Sequence, residues 1–264
     1  MILAVDIGNT QIVVGCLEGE KLISSFRLAT DRSRTAEEYT LLLSGIFAMR
    51  GIHAEQIDGG IVSSVVPVLR PVFRDAMEKI TGKRPLIVGA GVKTGLNIKT
   101  DIPAQVGSDR IVDAVAACAK YPLPIMIVDM GTSSTISVID KKKNFLGGMI
   151  IPGLRLAVDA LSARASQLPQ NISLEPPEKM IGTNTLDCMK SGSVYGSAAM
   201  LDGLIARVER EIGEPVTVVA TGGNMSMVAP LCRKKLHVEP DLLLHGLRIL
   251  YEKNCGRGSK HESR

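Results

Sequence analysis

Two stretches of this chain, Ala4-Val5-Asp6-Ile7-Gly8-Asn9 and Ile127-Val128-Asp129-Met130-Gly131-Thr132, follow the same pattern of residue types. In each, two apolar residues precede an aspartate, and an apolar residue, a glycine and a polar residue follow it. Asp6 and Asp129 are 123 residues apart, which is close to half of the 264-residue chain. Two matched motifs at this spacing predict an internal duplication of one structural unit.

The segments around both motifs predict the same order of secondary structure. In the first half, residues 2–6 and 11–17 flank a glycine turn and form a hairpin, and a third strand follows at residues 21–28. In the second half, strands at residues 125–129, at 135–139 and from Phe145 repeat this order. Further strands are predicted at residues 60–65, 86–88 and 215–220. Helices are predicted at residues 35–49, 111–117, 154–166, 194–212 and 241–253, and one more helix begins at Pro67 or Pro71. This alternation indicates an α/β fold with mixed sheets.

The composition excludes several classes of protein. With 45% hydrophobic and 22% charged residues, the chain is ordinary for a globular protein and long enough for one large domain or two modest ones. Aromatic residues make up 3% of the chain, and its net charge of +4 is not concentrated in one block. We therefore expect no nucleic-acid partner, since neither a basic face nor a row of stacking aromatics is present.

The cysteines, the histidines and the N-terminal sequence predict a cytoplasmic protein. The five cysteines include no CxxC pair and the four histidines form no HExxH motif, so neither a disulfide framework nor a zinc site is expected. Met1 is followed directly by apolar residues 2–5, without the basic segment of a signal peptide. No apolar run approaches the ~20 residues that span a bilayer, so we expect no membrane partner.

The duplicated aspartate turns predict a phosphate-binding function. An ionised carboxylate at the end of a buried strand needs a metal ion, hydrogen-bond donors or a cation as its partner. Gly8 and Gly131 let the backbone approach a bulky group, and the N–H groups of a tight turn can point at phosphate oxygens. Two such turns facing each other across an interdomain cleft would hold a nucleotide and its magnesium ion. The alternative is that Asp6 and Asp129 each shape only their own turn.

Three further segments contain the glycines or charged residues of candidate binding sites, and one of them is set aside. Thr221-Gly222-Gly223-Asn224 follows a predicted strand and suits the approach of backbone to a flat ring such as adenine. Gly89-Ala90-Gly91-Val92-Lys93-Thr94 has the spacing of neither common phosphate loop and is interpreted as a plain connection. In Gly107-Ser108-Asp109-Arg110, before a predicted helix, Asp109 and Arg110 could act as base and anion clamp. On this stretch alone, a helix cap formed by Ser108 or Asp109 is favoured.

The chain resembles the type III pantothenate kinases, a family of the actin, hexokinase and Hsp70-like ATPase superfamily, from Asp6 to about Lys253. The motifs that carry the resemblance are Asp6-Ile7-Gly8-Asn9-Thr10, Ser63-Ser64-Val65-Val66-Pro67, Val106-Gly107-Ser108-Asp109-Arg110, Asp129-Met130-Gly131-Thr132, Gly147-Gly148-Met149-Ile150-Ile151-Pro152-Gly153-Leu154 and Thr221-Gly222-Gly223-Asn224. The resemblance implies duplicated ribonuclease H-like (actin-like ATPase) domains with mixed five-stranded sheets and an interdomain cleft. We expect these domains at residues 1–121 and 122–254, followed by a flexible tail at residues 255–264.

The resemblance implies ATP-dependent phosphorylation of pantothenate to 4′-phosphopantothenate, the first step of coenzyme A biosynthesis. The implied ATP contacts are Asp6, Ile7, Gly8, Asn9, Thr10, Gln11, Ile12, Val13 and Thr132. The implied substrate contacts are Thr100, Gly107, Ser108, Asp109, Arg110 and Thr185. Asp109 would be the catalytic base, Asp6 would lie near magnesium, and Asp129 would bind a monovalent cation, K⁺ or NH₄⁺. Family members are homodimers, in which the threonine matching Thr185 reaches the substrate of the partner subunit.

Three positions depart from the family pattern, and two other functions stay open. Thr100 stands where relatives commonly have a tyrosine that contacts pantothenate, Ser137 where an aspartate is frequent, and Asn224 where an apolar residue is frequent. The first alternative function is phosphoryl-transfer chemistry on another small acceptor within the same superfamily. The second is a non-catalytic nucleotide-binding regulator. Asp109 argues against the regulator, because a degenerate site should lose its base first.

Overall fold

The computed structural model describes residues 1–256, and these fold into two compact units. The first unit contains residues 1–95, 102–116 and 242–256, and the second contains residues 96–101 and 117–241. This division differs from the one expected at residues 121 and 122, because the last helix packs against strands of the first unit. In the expected tail, Cys255 closes that helix, and residues 257–264 lie outside the described residues.

Strands and helices alternate along the chain. The strands are β1 (Ile2–Ile7), β2 (Gln11–Glu18), β3 (Lys21–Ala29), β4 (Gly59–Ser64), β5 (Leu86–Ile87), β6 (Asn97–Ile98), β7 (Ile125–Met130), β8 (Ser133–Ile139), β9 (Asn144–Pro152), β10 (Thr217–Thr221) and β11 (His237–Val238). The helices are α1 (Ala36–Met49), α2 (Leu69–Thr81), α3 (Ser108–Lys120), α4 (Leu154–Arg164), α5 (Thr185–Ile212), α6 (Met225–Val228) and α7 (Leu242–Cys255). None of the helices in residues 1–256 has both the length and the apolar character that a membrane crossing requires.

The two sheets share one topology, which agrees with the predicted duplication. In the first unit, β1, β2 and β3 are antiparallel neighbours, and β4 and β5 extend the sheet in parallel beyond β1. In the second unit, β7, β8 and β9 repeat the antiparallel part, and β10 and β11 repeat the parallel part. The second sheet also has a sixth strand, β6, beside β9. The expected five strands are therefore wrong for this sheet, because a two-residue strand gives no periodic signal.

Elements with a strong local signal begin where the sequence predicts. The Thr35 hydroxyl accepts the Glu38 N–H and the Glu38 carboxylate accepts the Thr35 N–H, so α1 opens with the expected capping box. By contrast, α5 begins at Thr185 rather than at Val194. Its first turns are rich in small polar residues and glycine, which have low helix propensity, and the Asn184 side chain caps them.

Each unit has its own hydrophobic core. In the first, the sheet packs against α1 and α2, where the Tyr39 and Phe73 ring centroids are 4.5 Å apart. In the second, β7, β8 and β10 pack against α4 and α5. Val5 and Val128, which precede the two aspartates, are both 0% exposed. The aspartate turns are therefore anchored by strands that lie in these cores.

The last helix, α7, completes the first unit through a close contact with α3. Gly246 of α7 is buried, and a Cβ atom added there would overlap the Val112 carbonyl oxygen of α3. Because that oxygen belongs to helix backbone, it cannot move aside as a flexible side chain would. The glycine thus sets the distance between the two helices.

We predict that Gly246→Ala destabilises the protein by roughly 1–3 kcal/mol, because the added methyl group forces the two helices apart. Gly45 is the matched control, since it is exposed in α1 and no atom lies within 4 Å of its added Cβ. Gly45→Ala should stabilise by roughly 0.5–1 kcal/mol through helix propensity alone. Urea unfolding of both variants measures the difference, and equal shifts in the two midpoints would contradict the packing argument.

Candidate active site

The first aspartate turn forms where β1 leaves the core of the first unit. Asp6 is 8% exposed and pairs in register with Ser63, near the end of the parallel strand β4. The Gly8 N–H donates to the Gln11 carbonyl oxygen at 3.0 Å. A Cβ atom on Gly8 would lie 2.9 Å from that same oxygen, so this turn requires glycine at position 8.

Hydrogen bonds from the end of β3 hold the first turn. Thr30 donates its hydroxyl to the Gly8 carbonyl oxygen at 2.7 Å and its N–H to the Thr10 carbonyl oxygen at 3.0 Å. Arg32 donates to the side-chain oxygen of Asn9 at 3.0 Å. Of the expected ATP contacts in this stretch, the side chains of Asp6, Ile7 and Ile12 are buried, Gly8 and Val13 are half-buried, and Asn9, Thr10 and Gln11 are exposed. The exposed polar side chains are the ones that a ligand can reach.

The second candidate segment, Gly107 to Arg110, spans the start of α3 in the same unit. Asp109 is half-buried, and its carboxylate accepts the Arg110 N–H at 2.8 Å. Burial raises the pKa of Asp109 above its ordinary value, although the N–H and the guanidinium of Arg110 act against this shift. A carboxylate with a raised pKa is a stronger proton acceptor than an exposed one, which suits a general base.

The favoured cap interpretation is wrong for Ser108. Its hydroxyl lies 2.9 Å from the Ser63 hydroxyl and accepts the Ser64 N–H at 3.2 Å, and both partners belong to the end of β4. A capping hydroxyl would instead accept an N–H group of its own helix. The Asp109 carboxylate makes a local bond, in which it accepts the N–H of the residue that follows it. The start of α3 is therefore hydrogen-bonded to β4. This strand pairs with β1, the strand that carries Asp6.

The second aspartate turn repeats the arrangement of the first in the second unit. Asp129 pairs in register with Thr221 at the end of the parallel strand β10, as Asp6 pairs with Ser63 on β4. Gly222 follows with φ of +95°, and a Cβ atom there would lie 2.5 Å from Asp129 Oδ1. The glycine turn after β10 therefore lies directly against the Asp129 carboxylate, while the adenine contact expected of this turn stays a prediction.

Three expected ligand contacts lie elsewhere in the second unit. Thr132 is exposed in the short turn between β7 and β8, and Thr185 is the exposed first residue of α5. Thr100 follows β6, and its hydroxyl oxygen is buried without a hydrogen-bond partner. The structure thus assigns these three threonines to the second unit and the Gly107 to Arg110 segment to the first.

The aspartates suit a metal ion that is shared with phosphate. Within residues 1–256, no group of three or more His, Cys, Asp and Glu side chains is arranged to hold a metal. Mg²⁺ is commonly bound through one or two carboxylates together with substrate phosphates and water, so such a group is not required. Asp6, a hard oxygen donor at the carboxyl end of β1, fits this mode of binding.

Comparison with known sequences decides the family. A sequence model of the type III pantothenate kinase family matches residues 2–207. The chain belongs to the type III pantothenate kinase family. It is 44% identical to the type III pantothenate kinase of Exiguobacterium sp. strain ATCC BAA-1283 / AT1b over 96% of this chain and 99% of the relative. It is 43% identical to that of Moorella thermoacetica over 96% of this chain and 100% of the relative. This chain is therefore an enzyme, a kinase that uses ATP and a divalent metal ion.

Solved structures show the fold of this kinase. A Campylobacter jejuni protein described as a Baf family transcriptional activator has a TM-score of 0.59 at 17% identity, covering 96% of this chain and 98% of its own. A ROK family glucokinase from Streptomyces griseus, solved with glucose and AMPPNP, has a TM-score of 0.53 at 15% identity, covering 94% and 98%. At these identities the similarity concerns the fold alone, and it agrees with the predicted α/β fold with mixed sheets.

Two site features had no local signal in the sequence. The Ser63 hydroxyl meets a residue 45 positions away, and the Thr30 hydroxyl meets one 22 positions away. Ser63 belongs to a motif that carries the family resemblance, but the motif by itself does not say what the hydroxyl contacts. Only the pairing of strands β1 to β4 brings these groups together.

We predict that Asp109→Asn raises the thermal stability of this kinase at pH 7. A carboxyl group whose pKa is raised by folding contributes stability below its unfolded pKa and loses it as pH rises through its folded pKa. At pH 7 the ionised, half-buried carboxylate is therefore unfavourable, and neutral asparagine removes that penalty. Thermal unfolding from pH 4 to pH 8 should show a gain that shrinks toward acid pH.

Asp75→Asn is the control for this experiment. The Asp75 side chain is 45% exposed, and a hydrogen bond from Arg74 lowers its pKa, so its charge contributes stability above the unfolded pKa. Its replacement should therefore leave the stability at pH 7 unchanged or slightly lower it. A loss of stability at pH 7 in the Asp109 variant would contradict the argument from burial.

Proposed function

We propose that Asp109 is the base with which this kinase transfers the terminal phosphoryl group of ATP to pantothenate, the first step of coenzyme A biosynthesis. The family match over residues 2–207 supports the reaction. The observation that carries the role of Asp109 is its position, half-buried at the start of α3 and next to Ser108, which is bonded to the end of β4.

In this proposal, Asp109 accepts the proton of the attacking pantothenate hydroxyl at its carboxylate. Phosphoryl transfer needs positioning and neutralisation of charge more than covalent help. A carboxylate can therefore orient the hydroxyl and take its proton late, as charge passes to the phosphoryl group. Arg110 pairs with an anionic or carbonyl oxygen of pantothenate, with Gly107 and Ser108 beside it. The buried Thr100 hydroxyl, which has no hydrogen-bond partner, offers a further contact to this substrate.

The first turn, from Asp6 to Val13, is proposed to bind the ATP phosphates, with Thr132 as a further contact. Asn9, Thr10 and Gln11 present exposed polar side chains on a turn that Thr30 and Arg32 hold in place. Asp6 would lie near the divalent ion, magnesium, and its carboxylate would supply a hard oxygen donor to it. When bound, that ion offsets the negative charge of the phosphates.

Asp129 is proposed to bind a monovalent cation, K⁺ or NH₄⁺. Its carboxylate lies against the Gly222 backbone, where a side chain would leave no room. A cation held there would offset the phosphate charge that a lysine offsets in P-loop enzymes.

We predict that the purified enzyme releases ADP from ATP and magnesium only when pantothenate is present, and faster in K⁺ or NH₄⁺ than in Na⁺. Asp109→Asn should bind ATP normally and lose roughly 10²–10⁴-fold in kcat, because it removes the proton acceptor. A coupled assay of ADP release, together with calorimetric titration of ATP, measures both quantities.

Each other result of this assay has a defined meaning. Normal turnover by the Asp109 variant would overturn the assignment of the base. ADP release that depends on a different alcohol and not on pantothenate would favour a kinase of another acceptor. ATP binding without release in any acceptor or cation would favour a non-catalytic regulator. Equal rates in all three cations would overturn the role of Asp129.

We also propose that the kinase is a homodimer that pairs through α4 and α5. An apolar cavity of about 540 Å³ lies between these helices, and Thr185 is part of its lining. Leu161 on its rim is 51% exposed, and Ile181, just before α5, is 82% exposed. Large exposed apolar patches on a monomer mark interaction sites, and exposed apolar side chains near an apolar cavity support such a patch here. A second copy seated there would meet the exposed Thr185, and the family resemblance implies that this threonine reaches the substrate of the partner subunit.

We predict that Leu161→Glu weakens self-association at least roughly tenfold, because it introduces a charge into an apolar contact. Leu41→Glu is the matched control, since Leu41 is 74% exposed on α1 of the first unit and lies outside this patch. Sedimentation equilibrium of the three proteins measures the association. A monomeric wild type, or equal association of both variants with the wild type, would contradict the proposed interface.

The cytoplasmic location stays a proposal that the cysteines support. All five cysteines are free thiols, and Cys188 and Cys255 are exposed. Reducing compartments keep exposed thiols in this state.

A further inference from the structure

The end of β4 meets the start of α3 through a pair of hydroxyl groups. Ser63 is 0% exposed, and its Oγ lies 2.9 Å from the Oγ of Ser108. The N–H of the next residue, Ser64, donates to the same Ser108 oxygen at 3.2 Å. The Ser108 side chain is therefore held by two consecutive residues of β4, which lie 45 and 44 positions earlier in the chain.

The strand end that holds Ser108 is itself fixed. The Ser64 hydroxyl donates to the Val66 carbonyl oxygen at 2.9 Å and accepts the Val66 N–H at 3.0 Å. Arg70 donates to the Ser64 carbonyl oxygen at 2.9 Å. The Val65 N–H donates to the Ile7 carbonyl oxygen at 3.1 Å, which continues the pairing with β1. Each polar group of Ser64 thus has a partner, so this strand end can act as a rigid support.

The Asp109 carboxylate is in turn fixed relative to Ser108. It accepts the Arg110 N–H at 2.8 Å, which sets its position over the first turn of α3. On the other side, a Cβ atom added to Gly107 would overlap Asp109 Oδ1, so the carboxylate lies tightly against the Gly107 backbone. A movement of Ser108 therefore moves the carboxylate with it.

We propose that Ser63 is a positioning residue for phosphoryl transfer, which acts by holding Ser108 and so the carboxylate of Asp109. The inference rests on the proposed role of Asp109 as base. In the β1–β4 register Ser63 is the partner of Asp6, so one residue connects the strand that carries the phosphate-binding turn with the helix that carries the base. A misplacement of about 1 Å between reacting groups can lower a rate by about 10²-fold, so this connection is expected to affect turnover.

A double-mutant cycle in the full-length enzyme tests this proposal. Ser63→Ala, Ser108→Ala and the double variant are assayed for kcat and for the KM of ATP and of pantothenate. Ser63→Ala should lower kcat on the order of tenfold and leave the KM of ATP within about twofold, because it moves the base without touching the nucleotide. The double variant should match Ser108→Ala within about twofold, because both substitutions break the same connection.

Ser162→Ala is the control for the loss of a buried serine hydroxyl. Ser162 is 6% exposed, and its hydroxyl donates to the Pro169 carbonyl oxygen at 2.9 Å within the second unit. This variant should keep the wild-type kcat. Hydrogen exchange of residues 107–111 in the absence of ligands provides a readout that does not depend on turnover, and it should be faster in Ser63→Ala than in the wild type and in the control.

The outcomes separate the positioning role of Ser63 from the proposed function of the enzyme. Wild-type kcat in Ser63→Ala, a raised KM of ATP with unchanged kcat, or independent effects in the cycle would each overturn the positioning role. The wild type could lack pantothenate-dependent turnover while hydrogen exchange is still faster in Ser63→Ala. In that case the proposed function fails, and the contact between the Ser63 and Ser108 hydroxyls only stabilises the start of α3. If the wild type is active and exchange is unchanged, then the positioning role fails alone.

Discussion

The parallel pairing of each aspartate-bearing strand with its neighbour is the constraint on which the rest of the site depends. β1 runs parallel to β4 and β7 runs parallel to β10, so the carboxyl ends of both strands in each pair lie at one edge of the sheet. This places Asp6 beside Ser63, and Asp129 beside Thr221. Ligands of open α/β sheets bind outside these carboxyl ends, where loops can vary without disturbing the core. The glycine turns and the start of α3 are built on this edge.

The proposed base, Asp109, illustrates how function can oppose stability in this kinase. Burial that makes Asp109 a better proton acceptor also makes its ionised form less favourable in the folded protein. The surrounding structure compensates with hydrogen bonds that would also hold the proposed base in place, from the Arg110 N–H to the carboxylate and from β4 to Ser108. Natural proteins commonly keep such local penalties at sites where chemistry takes place.

The positions that depart from the family pattern have different consequences in the structure. Ser137 is 3% exposed within β8, and the Asn224 N–H donates to the Met130 carbonyl oxygen through backbone alone. A backbone bond of this kind does not depend on the side chain at position 224. Thr100 is different, because its buried hydroxyl has no hydrogen-bond partner. Of the three departures, position 100 therefore bears most directly on the proposed substrate contact.

The sequence by itself determined the features that depend on neighbouring residues. The aspartate turns, the capping box of α1 and the repeated order of strands are set by hydrogen bonds and periodicity within a few residues, and each is visible as a pattern of residue types. The tertiary structure alone decided that α7 joins the first unit, that β6 adds a sixth strand beside β9, and that Ser108 bonds to β4 instead of capping its helix. These contacts join residues that are tens of positions apart. They are favourable only after the sheets have assembled, because only then do the surfaces fit together and the side chains become buried. No local pattern encodes such partners, because a serine hydroxyl has the same residue type whether it caps a helix or meets a strand 45 positions away.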